Sequence, residues 1–122
     1  YQVFDDCLDL FGTETEVGKS LGTDLANGKL TLPVLVVLER GSVVDQTRLR
    51  ECVQNWEPRF LPLVLELLDK YEAQRVSRAV IQRYLEVAKQ TLKSIPESPS
   101  RSALMSLADF TGEQADRLGM RV

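Results

Sequence analysis

The chain has 122 residues, 43% of them hydrophobic and 7% aromatic, which fits a single domain over residues 1–122 with a mainly aliphatic core. Its longest uninterrupted apolar stretch, Val34 to Leu38, is far short of the ~20 residues of a membrane span, and no signal-type segment opens it, so no transmembrane segment and a cytoplasmic location are expected. The net charge of −3 is uneven, with six acids and one base in residues 1–28 and a slight basic excess after them; this opposes a nucleic-acid footprint, and the lack of histidine excludes Ser-His-Asp and Cys-His chemistry and imidazole metal sites.

In chain order, Val3, Phe4, Cys7, Leu8 and Phe11 recur at helical spacing, predicting a helix over Tyr1 to Phe11 that ends near Gly12. From Gly12 to Asn27 the glycines, threonines and charges predict an ordered but irregular loop, its glycines allowing close backbone approach to a partner group. Thr31 and Pro33 mark the start of a short buried helix that runs to Arg40 and stops at Gly41. Thr47 to about Trp56 reads as a short amphipathic helix, and Arg59 to Ile95 as either one bent helix or two meeting near Tyr71 to Ala73. Pro96 and Pro99 form a turn; Ser98 or Ser100 would cap a last helix, Arg101 to Phe110, and the polar tail from Glu113 to Val122 would fray. No strand-like alternation persists, so the fold class is all-α. Cys7 and Cys52 lack metal-ligand spacing and read as buried reduced thiols. Trp56, Phe60, Tyr71 and Tyr84 read as core or interface residues, and Arg75, Arg78 and Arg83 as a solvated basic face.

The chemistry-bearing pattern is Asp5-Asp6-Cys7-Leu8-Asp9, in which spacings of three and four bring the carboxylates toward one helix face. Like charges so placed destabilise a helix by about 0.2–0.5 kcal/mol per pair. Such a face is either solvated or holds a cation, and Mg²⁺, which takes one or two carboxylates and completes its octahedron with water and phosphate oxygens, suits it. The following loop adds Gly18-Lys19-Ser20-Leu21-Gly22-Thr23-Asp24 and Gly28-Lys29-Leu30-Thr31-Leu32-Pro33, where lysines next to glycines fit phosphate oxygens. The Walker spacing is not met, and no strand precedes it.

Read together, YQVFDDCLDLFG and GKSLGTDLANGKLTLP resemble the second aspartate-rich motif and following loop of the trans-isoprenyl (polyprenyl) diphosphate synthases. Ile95-Pro96-Glu97-Ser98-Pro99 and Ala103 to Phe110 are similar to that family's C-terminal end. The resemblance implies the C-terminal half of an antiparallel helical bundle of the isoprenoid synthase type. It also implies Mg²⁺-dependent 1′-4 condensation of an allylic diphosphate with isopentenyl diphosphate, the released diphosphate acting as base. Carried over by position, Asp5, Asp6 and Asp9 would contact Mg²⁺, with Asp24 acting through water or by ordering the loop. Lys19 and Lys29 would hold diphosphate oxygens, Gln2 would sit near the reacting end, and Asp5, Asp6 and Lys19 would be the catalytic group.

The first aspartate-rich motif of that family has no counterpart in these 122 residues, since Asp45, Asp69, Asp109 and Asp116 stand alone. The chain by itself is therefore expected to be inactive and to work with a missing N-terminal half or another synthase chain. An apolar flank left exposed on helix 1–11 would drive homo-oligomerisation. The alternative is a non-catalytic helical subunit that regulates a full-length synthase. Glu72 stands where the family often has glycine between two helices.

Overall fold

The computed structural model describes residues 1–13 and 21–118. Among the described residues there are seven α-helices, one 3₁₀ turn and no strand: α1 (Gln2–Phe11), α2 (Thr23–Ala26), α3 (Leu32–Arg40), α4 (Val43–Gln54), a 3₁₀ turn (Pro58–Phe60), α5 (Leu61–Lys70), α6 (Ala73–Lys93) and α7 (Pro99–Asp116). The all-α expectation therefore holds.

Helix α1 forms where the aliphatic and aromatic stripe predicts it, and Gly12 closes it by donating its N–H to the Leu8 carbonyl at 3.0 Å. The stretch expected to be wholly irregular contains one helical turn, α2, which is entered through Gly22 at φ 79° and anchored by buried Leu25. Helix α3 carries Pro33 in its first turn, where the missing N–H has no intrahelical partner to lose. Gly41 ends it, and a Cβ there would lie 2.6 Å from the Val37 carbonyl oxygen.

Helix α4 starts at Val43, four residues before the expected Thr47. Ser42 caps it by accepting from the Asp45 N–H at 3.1 Å. Val43 and Val44 are 79% and 67% exposed, so no apolar period marks the true first turn. The segment from Arg59 to Ile95 resolves into two helices, with Glu72 between them in the left-handed region at φ 54°, ψ 35°. The last helix is longer at both ends than Arg101 to Phe110. Ser98 caps it, accepting from the Arg101 N–H at 3.1 Å, and the expected frayed tail is instead helical through Asp116, with Ala115 and Leu118 buried.

Two apolar clusters hold the helices together. The larger joins Leu10 of α1, Leu25 of α2, Val34, Val36 and Val37 of α3, Leu49 and Cys52 of α4, Val64, Leu67 and Leu68 of α5, and Ala73 of α6. The smaller joins Phe4 and Cys7 of α1 to Ile81 of α6 and to Ala115 and Leu118 at the end of α7. Helix α1 thus contributes to both clusters, which fixes its orientation and leaves its other side to Asp5 and Asp6. Phe4 and Cys7 of its apolar stripe are buried and Val3, Leu8 and Phe11 are half-buried; exposed apolar side chains also lie on the α6–α7 pair, at Tyr84, Val87, Leu104, Leu107 and Phe110. Tyr84 is therefore a surface residue and not part of the core. A groove of about 650 Å³ runs between these two helices, lined by Leu85, Ala88, Leu92, Leu104 and Leu107 and reaching Tyr1 at its mouth.

A third tie is polar. Buried Asp45 accepts from the Lys70 ammonium at 2.7 Å and from the Tyr71 hydroxyl at 2.5 Å, and Tyr71 in turn accepts from the Ser42 N–H at 3.0 Å. These bonds lock the start of α4 to the end of α5. The hydrogen bonds from Lys70 and then Tyr71 hold the Asp45 carboxyl below the usual carboxylate range.

Candidate functional site

The three aspartates of α1 do not act alike. Asp5 is exposed, and among the described residues no side chain pairs with its carboxylate. Asp6 is half-buried: its Oδ1 accepts from the Gln2 side-chain amide at 2.9 Å and lies 3.4 Å from the Lys29 ammonium. Asp9 is 3% exposed and turned the other way. Its Oδ1 accepts from the Thr23 N–H at 3.2 Å and its Oδ2 from the Asp24 N–H at 3.0 Å.

Asp9 is therefore held differently from Asp5 and Asp6. Among the described residues no group of three acidic, thiol or imidazole side chains is placed to hold a metal ion. The physical reason is the start of the α2 turn, whose first N–H groups have no intrahelical partner. A carboxylate there gains charge-assisted hydrogen bonds from them, and Asp9 also accepts, through its backbone carbonyl, from the Gly22 N–H at 2.9 Å. Asp5 and Asp6 remain as a two-carboxylate wall, which still fits Mg²⁺ because that ion takes one or two carboxylates and leaves its other positions to water and phosphate.

Two backbone groups of Asp24 take part in the loop: its N–H meets Asp9, and its carbonyl accepts from the Lys29 N–H at 2.8 Å. Gly28, at φ 71°, turns the chain so that Lys29 comes back over α1. Lys29 is half-exposed, so its ammonium can reach an anion bound beside Asp5 and Asp6. Gln2 lies within the site as an orienter of Asp6. Lys19, expected to join Lys29, lies outside the described residues, as does Arg121.

Cys7, the residue after Asp6, faces inward, and burial pushes its thiol up to about 12, a shift that the nearby Ser77 hydroxyl offsets in part. Such a thiol is neither a nucleophile nor a metal ligand at neutral pH. Cys52 is also buried and free, with its pKa raised by burial. The arginines of α6 match the expected solvated face in part: Arg75 pairs with Glu72 at 2.9 Å, whereas Arg78 reaches the Asp116 carbonyl at 3.4 Å. The role of Asp9 was not legible beforehand because its partners lie 14 and 15 residues away, beyond any local spacing rule. No helix among the described residues is long and apolar enough to cross a membrane.

Residues 1–59 match the polyprenyl synthetase family. The chain is 35% identical, over 93% of its length and 35% of the relative's, to the short chain isoprenyl diphosphate synthase of Methanothermobacter thermautotrophicus. It is 37% identical to heptaprenyl diphosphate synthase component 2 of Bacillus subtilis, over 93% of the chain and 32% of that protein. It is 31% identical to the chloroplastic solanesyl diphosphate synthase 2 of Arabidopsis thaliana, over 95% of the chain and 27% of that protein. No solved structure matches. The chain spans about a third of the length of these relatives, and with its all-helical architecture and its paired aspartates beside the two-lysine loop, it belongs to the polyprenyl synthetase family.

Proposed function

We propose that this chain supplies the second aspartate wall of a trans-prenyltransferase, an enzyme that joins an allylic diphosphate to isopentenyl diphosphate in isoprenoid biosynthesis. The observation that carries the reading is the exposed Asp5 carboxylate, next in sequence to Asp6 on α1, with the Lys29 ammonium 3.4 Å from Asp6. Asp5 and Asp6 would hold Mg²⁺, which when bound supplies charge neutralisation for diphosphate oxygens. Lys29 would donate to the same diphosphate, and Gln2 would keep Asp6 turned toward it. Electrostatic stabilisation of the leaving diphosphate is the form of catalysis that such a wall provides, and it asks for no histidine base.

The rest of the site would come from sequence beyond these 122 residues or from another synthase chain, because the other aspartate-rich motif is not among them. On this reading residues 1–122 are one portion of a larger polyprenyl synthetase domain, acting in the cytoplasm. The apolar surface of α6 and α7 supports association, with itself as a homo-oligomer or with that complement. The test is a condensation assay with Mg²⁺ and both diphosphates. The chain alone should give no turnover, whereas addition of a chain bearing the other motif should give turnover that Asp5→Asn abolishes; steady turnover from the pure chain overturns the reading.

A second reading starts from the relatives named heptaprenyl diphosphate synthase component 2, from Bacillus subtilis and Geobacillus stearothermophilus, whose name implies a synthase of more than one component. The chain would then be a helical subunit that binds a synthase and alters its output without contributing ligands. Turnover that is stimulated equally by wild type and by Asp5→Asn would favour this reading over the first.

A further inference from the structure

We infer that Asp9 is a positioning residue for Lys29, not a metal ligand. The inference rests on the reading of Asp5 and Asp6 as a metal-diphosphate wall, and deepens it by assigning the third aspartate a different task. Both Asp9 oxygens are engaged by the Thr23 and Asp24 N–H groups, and the residue is almost wholly buried. From there a short covalent and hydrogen-bonded path leads to the ammonium. Asp24, held through its N–H, presents its carbonyl to the Lys29 N–H at 2.8 Å; Gly28 turns between them with its own N–H on the Leu25 carbonyl at 3.0 Å; and the Lys29 side chain ends 3.4 Å from Asp6.

The clamp also has a rigid base. Leu25 is 1% exposed in the main core, and the αL turn at Gly22 sits under Trp56 and Leu61, each 3.3 Å from where a Cβ would be. Only the side facing α1 depends on Asp9. Without it the Thr23 and Asp24 N–H groups lose their acceptor, the turn is left tied to α1 only through the Gly22 N–H on the Asp9 backbone carbonyl, and Lys29 loses its fixed approach to Asp6. The prediction is specific because Asn keeps one of the two acceptor oxygens, and so part of the clamp, but is a poor substitute for a carboxylate ligand of Mg²⁺.

The experiment compares wild type, Asp9→Asn, Asp9→Ala, Lys29→Ala, the Asp9→Ala/Lys29→Ala double variant, and Asp5→Asn. Three readouts are used: amide hydrogen exchange by NMR, paramagnetic broadening by Mn²⁺, and calorimetric binding of inorganic pyrophosphate with Mg²⁺. Exchange at the Lys29 amide should quicken at least tenfold in Asp9→Ala, together with Thr23 and Asp24, and by less in Asp9→Asn, which keeps one of the two acceptors. Broadening of the Asp5 and Asp6 amides should persist in both Asp9 variants and vanish in Asp5→Asn. Pyrophosphate affinity should fall about tenfold in Lys29→Ala, the scale of one charge-assisted contact, by a similar factor in Asp9→Ala, and no further in the double variant. Loss of Mn²⁺ broadening in Asp9→Asn, or additive losses in the double variant, overturns the assignment. If wild type shows neither broadening nor pyrophosphate binding, the metal-wall reading fails, and the exchange data still decide whether Asp9 holds Lys29; a Lys29 amide unchanged in both Asp9 variants sinks the inference.

Discussion

The junction between α5 and α6 offers the sharpest stability prediction. Glu72 is the described non-glycine residue with positive φ, and the left-handed conformation costs an L-residue roughly 1–2 kcal/mol. Glycine adopts it freely, so Glu72→Gly removes that cost while adding about 0.4–1 kcal/mol of unfolded-chain entropy to be lost on folding. The exposed Glu72–Arg75 pair lost with it adds little. The balance spans about 0–1.6 kcal/mol, with a central net stabilisation of about 0.5–1 kcal/mol. With an unfolding entropy of about 2.1 cal/mol/K per residue over this length, that raises Tm by about 2–4 °C. In urea, with a slope of about 1.5 kcal/mol/M, the midpoint rises by about 0.3–0.7 M. Glu72→Ala is the control, since it loses the same ion pair and keeps the left-handed strain. A Glu72→Gly midpoint at or below that of Glu72→Ala would refute the strain argument.

Four other outcomes are expected. Asp45 has its carboxyl pKa lowered in the folded state by Lys70 and Tyr71, so it contributes stability above the ordinary carboxyl value of about 3.9 that is lost as pH falls through the lower folded value; the urea midpoint should fall on acidification below about pH 4, and Asp45→Asn should lower the midpoint at neutral pH and flatten that acid slope, an unchanged slope counting against the tie. Neither Cys7 nor Cys52 should react with a thiol reagent at pH 8 in the folded protein, and both should react in urea; rapid labelling of Cys7 in the native state would contradict its burial and its pKa of about 12. Gly22→Ala should destabilise by about 1–2 kcal/mol through its left-handed backbone, with the crowding by Trp56 and Leu61 adding to it, and wild-type stability by denaturant titration would contradict the turn described. Leu68→Ala, at a fully buried position in the larger cluster, should lose about 2–5 kcal/mol; a loss below 1 kcal/mol by the same titration would show that the site is not a packed core.

Where local rules apply, the elements were legible in advance. The stripe through Phe4 and Cys7, Pro33 in the first turn of α3, the stop at Gly41 and the cap at Ser98 each act within a few residues, and each is found where expected. The boundaries that moved did so where the deciding contacts are distant. Helix α4 begins at exposed valines, which carry no apolar period, and is tied down by the bonds from Lys70 and Tyr71 to Asp45, 25 and 26 residues away. Helix α7 continues past Phe110 because Thr111, Gly112 and Ala115 are buried, with the Gln82 amide donating to the Gly112 carbonyl at 3.2 Å and to Asp116 at 3.0 Å. The site divides in the same way. Residue types and spacing along α1 were enough to point to a carboxylate wall beside a two-lysine loop. Which carboxylates stay open was decided by tertiary structure, because a nearby helix N-terminus offers Asp9 N–H donors that spacing along α1 cannot reveal.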